Sequence, residues 1–201
     1  MRNFVIVSTA AAAALLGCAT PVEISDQTVA DVYKRDFKTR GQAKAEWVVQ
    51  DDVQRTCTAT DGQPTEAVGK KLEEAQLKTI KYPAGSLMGD WKRGHSIAQS
   101  GRGMTWDQKP STNNGGGCYN CHELSPQEAS FGTLGPSLRN FGKVRGTSEA
   151  IQRYTYGKIY NSKAFNACSN MPRFGHTGSL TEQQMKDLTA YLLDPNSPVN
   201  K

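Results

Sequence analysis

The stretch GGGCYNCHEL, residues 115–124, decides how the rest of the chain is interpreted. Two cysteines, Cys118 and Cys121, flank two residues, and His122 follows directly. Three chemistries use a cysteine pair at this spacing: a structural zinc knuckle, a redox-active disulfide and covalent attachment of haem. The surrounding sequence has to distinguish between them.

The sequence favours haem attachment. A structural zinc site usually takes four Cys or His ligands, whereas this motif offers three at most and no second cysteine pair accompanies it. A thioredoxin-like site needs a βαβ pattern, which the sequence lacks. Thioethers from Cys118 and Cys121 reach the two vinyl groups of haem without strain, and His122 then lies under the ring as an iron ligand. We therefore predict one covalently bound haem c.

An electron-transfer haem needs a second axial ligand, and Met171 is the candidate. It lies in NACSNMPRFG, residues 166–175, where Pro172 stiffens the loop. Methionine opposite histidine raises the reduction potential because a soft thioether favours ferrous iron. His176 is the rival ligand, and His95 is a weaker one.

The imidazole of an iron-bound histidine usually donates its other N–H to a backbone carbonyl, which fixes the ring. LGPSL, residues 134–138, could supply that acceptor. Proline has a carbonyl but no N–H, so Pro136 is the natural partner of His122. The simpler alternative is that Pro136 only forms a turn.

The first residues have the pattern of an export signal. Arg2 precedes an apolar run from Phe4 to Leu16, which is too short to span a bilayer as a helix. LLGC resembles a lipoprotein box in which Cys18 is lipidated, while an ordinary cut after Ala19 is the competing interpretation. Both place the mature protein outside the cytoplasm, and we predict a periplasmic protein.

The five cysteines then leave one pair over. Cys18 belongs to the signal and two others to the motif, so Cys57 and Cys168 remain. We predict that these two form a disulfide, because the compartment is oxidising. The alternatives are two separate buried thiols, or a thiol at Cys168 that faces a partner.

Composition and pattern predict a mainly α protein. The 24 basic residues exceed the 19 acidic ones but are scattered, which disfavours nucleic acid as a partner. Apolar spacing, caps and breakers predict helices around 24–37, 64–82, 90–100, 147–161 and 181–194, and no strand pattern persists.

We predict three parts of the chain. Residues 1–19 form the export signal, residues 20–87 form a helical N-terminal extension, and residues 88–201 form the haem domain. The sequence assigns no chemistry to the extension.

The order of helix, CYNCH, LGP, methionine loop and last helix resembles class I cytochrome c over residues 88–195. That resemblance implies a fold in which the first and last helices of the domain cross beside the haem. Gly94 matches the small residue at the crossing, and Tyr191 matches its aromatic partner. The sequence departs from the family where residues 101–117 separate the first helix from the motif.

GGGCYNCHELSPQEASFGTLGPSL, ACSNMPRFG and LTEQQMKDLTAYLLDPNSPVN resemble, more specifically, the X subunit of the SoxAX cytochromes of sulfur oxidation. This resemblance implies haem attachment at Cys118 and Cys121, with His122 as proximal and Met171 as distal ligand. It also implies a heterodimer with a SoxA-type haem subunit, which carries the catalytic residues.

The resemblance implies an enzyme activity for the complex, L-cysteine S-thiosulfotransferase. SoxAX oxidatively joins thiosulfate to a cysteine of the SoxYZ carrier protein, and the X subunit passes electrons to a further cytochrome. Two alternatives stay open. One is a free-standing periplasmic electron carrier, and the other is a haem enzyme with an open iron site, which requires that Met171 does not bind iron.

Overall fold

A computed structural model describes residues 24–109 and 114–201. The predicted export signal and Cys18 lie outside these ranges. The chain divides into two compact units, one ending at Lys38 and the other running from Thr39 to Lys201.

The first unit contains one described helix, α1 (Asp26–Asp36). Ser25 caps its start, because its hydroxyl accepts a hydrogen bond from the Thr28 N–H. Tyr33 and Phe37, one turn apart, pack edge to face with ring centroids 5.4 Å apart. The helix predicted around 24–37 is therefore present.

The second unit is built from six α-helices and four short 3₁₀ turns among its described residues. The helices are α2 (Asp52–Ala59), α3 (Glu66–Leu77), α4 (Trp91–Ala98), α5 (Phe141–Arg145), α6 (Glu149–Tyr160) and α7 (Glu182–Leu193). The 3₁₀ turns are Ala45–Val48, Cys118–Asn120, Ser162–Ala164 and Pro198–Asn200. No β-strand occurs in ranges 24–109 and 114–201, which confirms the predicted mainly α class.

Helices α4 and α7 cross closely, and the crossing depends on a glycine. A Cβ at Gly94 would lie 2.7 Å from Tyr191 Cβ and 2.6 Å from the carbonyl carbon of Asp187. No side chain fits there, and the backbones of α4 and α7 are therefore in direct contact. The predicted roles of Gly94 and Tyr191 at this crossing are confirmed.

Asp187 ties the two helices together with buried hydrogen bonds. Its carboxylate accepts from the Asp90 N–H at 2.8 Å, from Arg93 Nε at 2.9 Å and from Gln183 Nε2 at 2.8 Å. Burial raises the pKa of this carboxyl, but the bonds from Arg93, Asp90 and Gln183 outweigh burial, so the pKa lies below its ordinary value.

The compact unit starts earlier in the chain than the sequence predicts for the haem domain. Segment 39–87 belongs to the same unit as residues 88–201. The predicted boundary between 87 and 88 therefore lies inside the unit, not at its edge.

Long-range contacts explain this difference. Asn161 Nδ2 donates to Gln76 Oε1 and to Thr79 Oγ1, both at 2.9 Å, and Ile80 is buried in the core. These partners lie more than 80 positions apart in the chain, so the local pattern of α3 could not reveal them. Segment 39–87 is thus part of the body that holds the motif.

Candidate haem site

The cysteine motif adopts a tight 3₁₀ turn. Gly117 precedes it in the left-handed region with φ 56°, and the turn spans Cys118–Asn120. The backbone N–H groups of Cys121 and His122 both donate to the Cys118 carbonyl, at 3.1 and 3.0 Å. Cys118 packs against the core, and neither motif cysteine is in a disulfide. Both thiols are therefore available for another bond.

His122 is oriented by the residue that the sequence predicts. Its Nδ1 lies 2.7 Å from the carbonyl oxygen of Pro136. A carbonyl only accepts, so Nδ1 carries the proton and Nε2 keeps the lone pair that a metal needs. The structure brings this pair together across 14 residues of chain.

Gly135 completes this arrangement, and sequence reasoning missed its role. A Cβ at this position would lie 2.5 Å from Nδ1 and 2.7 Å from Nε2 of His122. The Gly135 N–H donates to the Cys121 carbonyl at 2.8 Å, and the Leu138 N–H donates to the Glu123 carbonyl at 2.8 Å. Residues 132–138 thus run alongside the motif and are hydrogen-bonded to its backbone.

Met171 is half-buried and lies in a loop that hydrogen bonds hold in place. Its side chain packs against the hydrophobic core. Its carbonyl accepts from Ser162 Oγ at 2.6 Å, and its N–H donates to Ser169 Oγ at 3.2 Å. The rival His176 lies farther along the loop, where its backbone N–H donates to the Tyr160 carbonyl at 3.1 Å.

The Met171 loop is attached to segment 39–87 at several points. Cys57 of α2 and Cys168 of the loop form a disulfide with Cα atoms 5.5 Å apart. The Ala167 N–H donates to Glu73 Oε1 of α3 at 3.1 Å. These links, together with those from Asn161, hold both ends of the 161–171 stretch.

The electrostatics of Cys118 argue against a redox dithiol. Burial raises the pKa of this thiol to about 12. A reactive dithiol needs the opposite, a lowered thiol pKa that supplies thiolate at neutral pH. The buried thiol instead suits a cysteine that forms a permanent thioether.

A zinc knuckle has no ligand set here. In the parts of the chain that the structure describes, no three His, Cys, Asp or Glu side chains gather closely enough to hold a metal ion. Within the described residues the motif therefore lacks the ligand set of a zinc knuckle, whereas the donors for haem attachment are present.

The residues present fit a haem group. Two thiols stand at the required spacing, the imidazole of His122 has a free Nε2, and Met171 offers a soft sulfur. Partly buried apolar side chains also pack against the core, among them Ile97, Tyr119, Leu138, Phe141, Phe174 and Leu192. When bound, haem would supply one-electron chemistry at iron. Cys118 and Cys121 would attach the ring, and His122 and Met171 would ligate the iron.

Helix length bears on membrane attachment. No helix in the described ranges is long and apolar enough to cross a bilayer.

Comparison with known proteins agrees with this geometry. The family model described as Cytochrome c matches residues 113–194, which contain the motif, the Met171 loop and α7. An "Uncharacterized lipoprotein" of Aquifex aeolicus (strain VF5) is 32% identical over 215 aligned positions, which cover 100% of this chain and 100% of that protein. This chain belongs to the same family as that lipoprotein, and its residues 113–194 match a cytochrome c domain, a kind of domain that implies covalently bound haem c.

Proposed function

We propose that this chain is the electron-accepting monohaem subunit of a SoxAX-type complex in the periplasm. The observation that carries the proposal is the combined sequence of the motif strip, the ACSNMPRFG loop and the last helix. It resembles the X subunit over most of the haem domain. The hydrogen bond of His122 to Pro136 and the held Met171 loop support an electron-transfer iron site with both axial positions filled.

The reaction of such a complex releases two electrons. A cysteine thiolate of the carrier protein and thiosulfate form a sulfur–sulfur bond, and the product is a cysteine S-thiosulfonate on the carrier. If the cysteine starts as a thiol, one proton is also released. No bond in thiosulfate needs to break. A single haem takes one electron at a time, so this subunit has to accept and pass on electrons twice in each turnover.

The residues of this chain would take part only in electron transfer. His122 would ligate the iron, with its ring orientation fixed by Pro136. Met171 would hold the other side, where its thioether favours the reduced iron and so favours acceptance of an electron. The carrier cysteine and thiosulfate would react on the partner subunit.

A free-standing, membrane-anchored electron carrier is the second candidate. The A. aeolicus relative, which aligns over the full length of both chains, is named a lipoprotein, and this favours an anchored carrier. In that case a lipid on Cys18 would hold the haem domain at the membrane surface, and no dedicated catalytic subunit would be needed.

Co-purification from the native host separates the two candidates. A C-terminally tagged full-length chain is purified under mild detergent, and its partners are identified by mass spectrometry. A second haem-bearing chain in about equal amount supports the complex. A chain that elutes alone, with all of its haem, contradicts it and favours the free carrier.

A kinetic measurement tests the chemistry of the isolated complex. The oxidised complex is mixed with thiosulfate and carrier protein, and haem absorbance is followed. Reduction should require both thiosulfate and a carrier with a free cysteine. A carrier whose cysteine is blocked by alkylation is the matched control, and equal reduction with it would contradict the proposal.

A further inference from the structure

A small group of charged side chains, two of them largely buried, adjoins the Met171 loop. Arg173 follows Met171 by two residues, and its Nη1 lies 2.6 Å from Oδ2 of Asp51. The side chain of Arg173 is only 11% exposed, and that of Asp51 is 39% exposed. Lys163 is 8% exposed, and its Nζ donates to the Ala167 carbonyl at 3.2 Å. The charges of Arg173 and Lys163 are poorly exposed and therefore only weakly screened by salt.

The group carries an excess of positive charge. Lys163 and Arg173 are two cations, and Asp51 is the carboxylate that faces them, so one net positive charge remains. Burial raises the pKa of Asp51, but the hydrogen bond donated by the Gln54 N–H and the ion pair with Arg173 outweigh burial, so the pKa lies below its ordinary value and the carboxyl is ionised at neutral pH. Partial burial and Arg173 lower the pKa of His176, which keeps that ring neutral at pH 7.

Asp51 belongs to segment 39–87, and hydrogen bonds hold it in place. It caps α2 in a capping box with Gln54: Asp51 Oδ1 accepts from the Gln54 N–H at 2.9 Å, and the Asp51 N–H donates to Gln54 Oε1 at 3.0 Å. The same helix carries Cys57, which the disulfide joins to the Met171 loop. The carboxylate therefore has a fixed position relative to that loop.

We propose that Asp51 sets the haem reduction potential by neutralising part of the positive charge of Arg173 and Lys163 beside the Met171 ligand. A positive charge near iron favours the ferrous state, which has one more electron, and this effect is strong where the dielectric constant is low. Arg173 thus raises the potential and Asp51 lowers it. The inference rests on the proposed ligation by Met171, and it gives segment 39–87 an electrostatic role in addition to its mechanical one.

Potentiometric titration of holoprotein variants tests this proposal. Asp51→Asn removes the charge but keeps the helix cap, since asparagine caps as well as aspartate. It should move the potential upward. Arg173→Gln should move it downward, and Arg173→Lys, which keeps the charge, should stay near wild type. Asp52→Asn, the same change one residue along at an exposed carboxylate, should leave the potential unchanged.

Opposite shifts distinguish an electrostatic role from a purely structural one. If the ion pair only braced the loop, both single changes would loosen Met171 and move the potential in the same direction, and that result would overturn the proposal. Shifts no larger than that of Asp52→Asn would also overturn it. The oxidised wild-type spectrum shows separately whether Met171 binds iron. If Met171 does not bind iron, both this proposal and the ligand assignment are wrong. A failed co-purification, by contrast, contradicts only the SoxAX function.

Discussion

At the scale of single residues, the imidazole of His122 is fixed from two directions. The Pro136 carbonyl accepts a hydrogen bond from Nδ1, with the nitrogen and oxygen 2.7 Å apart, and the missing side chain of Gly135 leaves room for the ring. A ring held in one orientation keeps its Nε2 directed at one place, and an iron ligand needs that.

Gly135→Ala adds only one methyl group, but it should disturb the site around His122. The new methyl group would overlap the imidazole, and overpacking of this kind costs about 1–3 kcal/mol. We expect a lower melting temperature and a changed haem absorption spectrum, measured on purified holoprotein.

Gly69→Ala in α3 is the matched control for that change. Its Cβ would meet nothing closer than Pro64 Cγ at 3.9 Å. Alanine should leave the spectrum unchanged and stabilise the helix by roughly 0.5–1 kcal/mol. If the haem spectrum of Gly135→Ala were the same as that of Gly69→Ala, the proposed role of Gly135 would be wrong.

The sequence predicted some of these residues and could not predict others, for physical reasons. Cys118, Cys121 and His122 are close in the chain because one small turn has to present them to one ring. Pro136 could be proposed because it alone offers a carbonyl without an N–H in its turn. Gly135 is required only by a contact in space, and one sequence does not show which glycine makes such a contact.

At the scale of elements, the crossing of α4 and α7 depends on the ionised carboxylate of Asp187. Its pKa lies below the ordinary value in the folded state. Such a group stabilises the fold above the unfolded pKa, about 3.9, and this contribution is lost as the pH falls through the folded pKa.

We therefore expect the stability of the wild type to fall in acid more steeply than that of Asp187→Asn. Urea unfolding at a series of pH values between neutral and strongly acidic measures both curves. Asp52→Asn, with its exposed carboxylate, should keep the acid dependence of the wild type. Parallel curves for wild type and Asp187→Asn would contradict this account.

The disulfide joins α2 to the Met171 loop, and its loss should affect both stability and ligation. It closes a loop of 111 residues, and chain entropy assigns such a link about 5 kcal/mol as an upper figure. Cys57→Ser with Cys168→Ser, which leaves no new free thiol, should unfold at lower urea and weaken the bond between Met171 and iron without releasing haem.

Thiol labelling provides the direct check of that link. Wild-type holoprotein, denatured without reductant, should show no reactive thiol from Cys57 or Cys168. Two reactive thiols, after the haem thioethers are counted, would show that the pair is not bonded. Unchanged stability of the double variant would show that the link does not brace the loop.

At the scale of the whole molecule, local pattern predicted the class of fold but not its extent. Caps and apolar spacing identify helices because they act within a few residues, so α6 and α7 agree with the prediction. The compact unit is larger than predicted because Asp51, Cys57 and Glu73 meet the Met171 loop across about 100 residues. Pairing of that kind cannot be read from periodicity, although counting cysteines did suggest one of these contacts.

The sequence around Cys18 bears on where the whole molecule resides. We predict that Cys18 is lipidated and becomes the first mature residue, with Thr20 as the alternative start. Intact mass of the native protein should show a diacylglycerol addition, and Cys18→Ala should release the protein from the membrane fraction. A mature chain that begins at Thr20 would contradict the anchor.

The central claim is that His122 and Met171 together ligate one covalent haem. The most direct measurement is the visible spectrum of the oxidised holoprotein, where a thioether–iron bond gives a weak far-red band. We predict that this band is present in the wild type, absent in Met171→Ala and retained in the control Met88→Ala. A wild-type spectrum without the band, or a Met171→Ala spectrum that keeps it, would contradict the claim and favour another ligand such as His176.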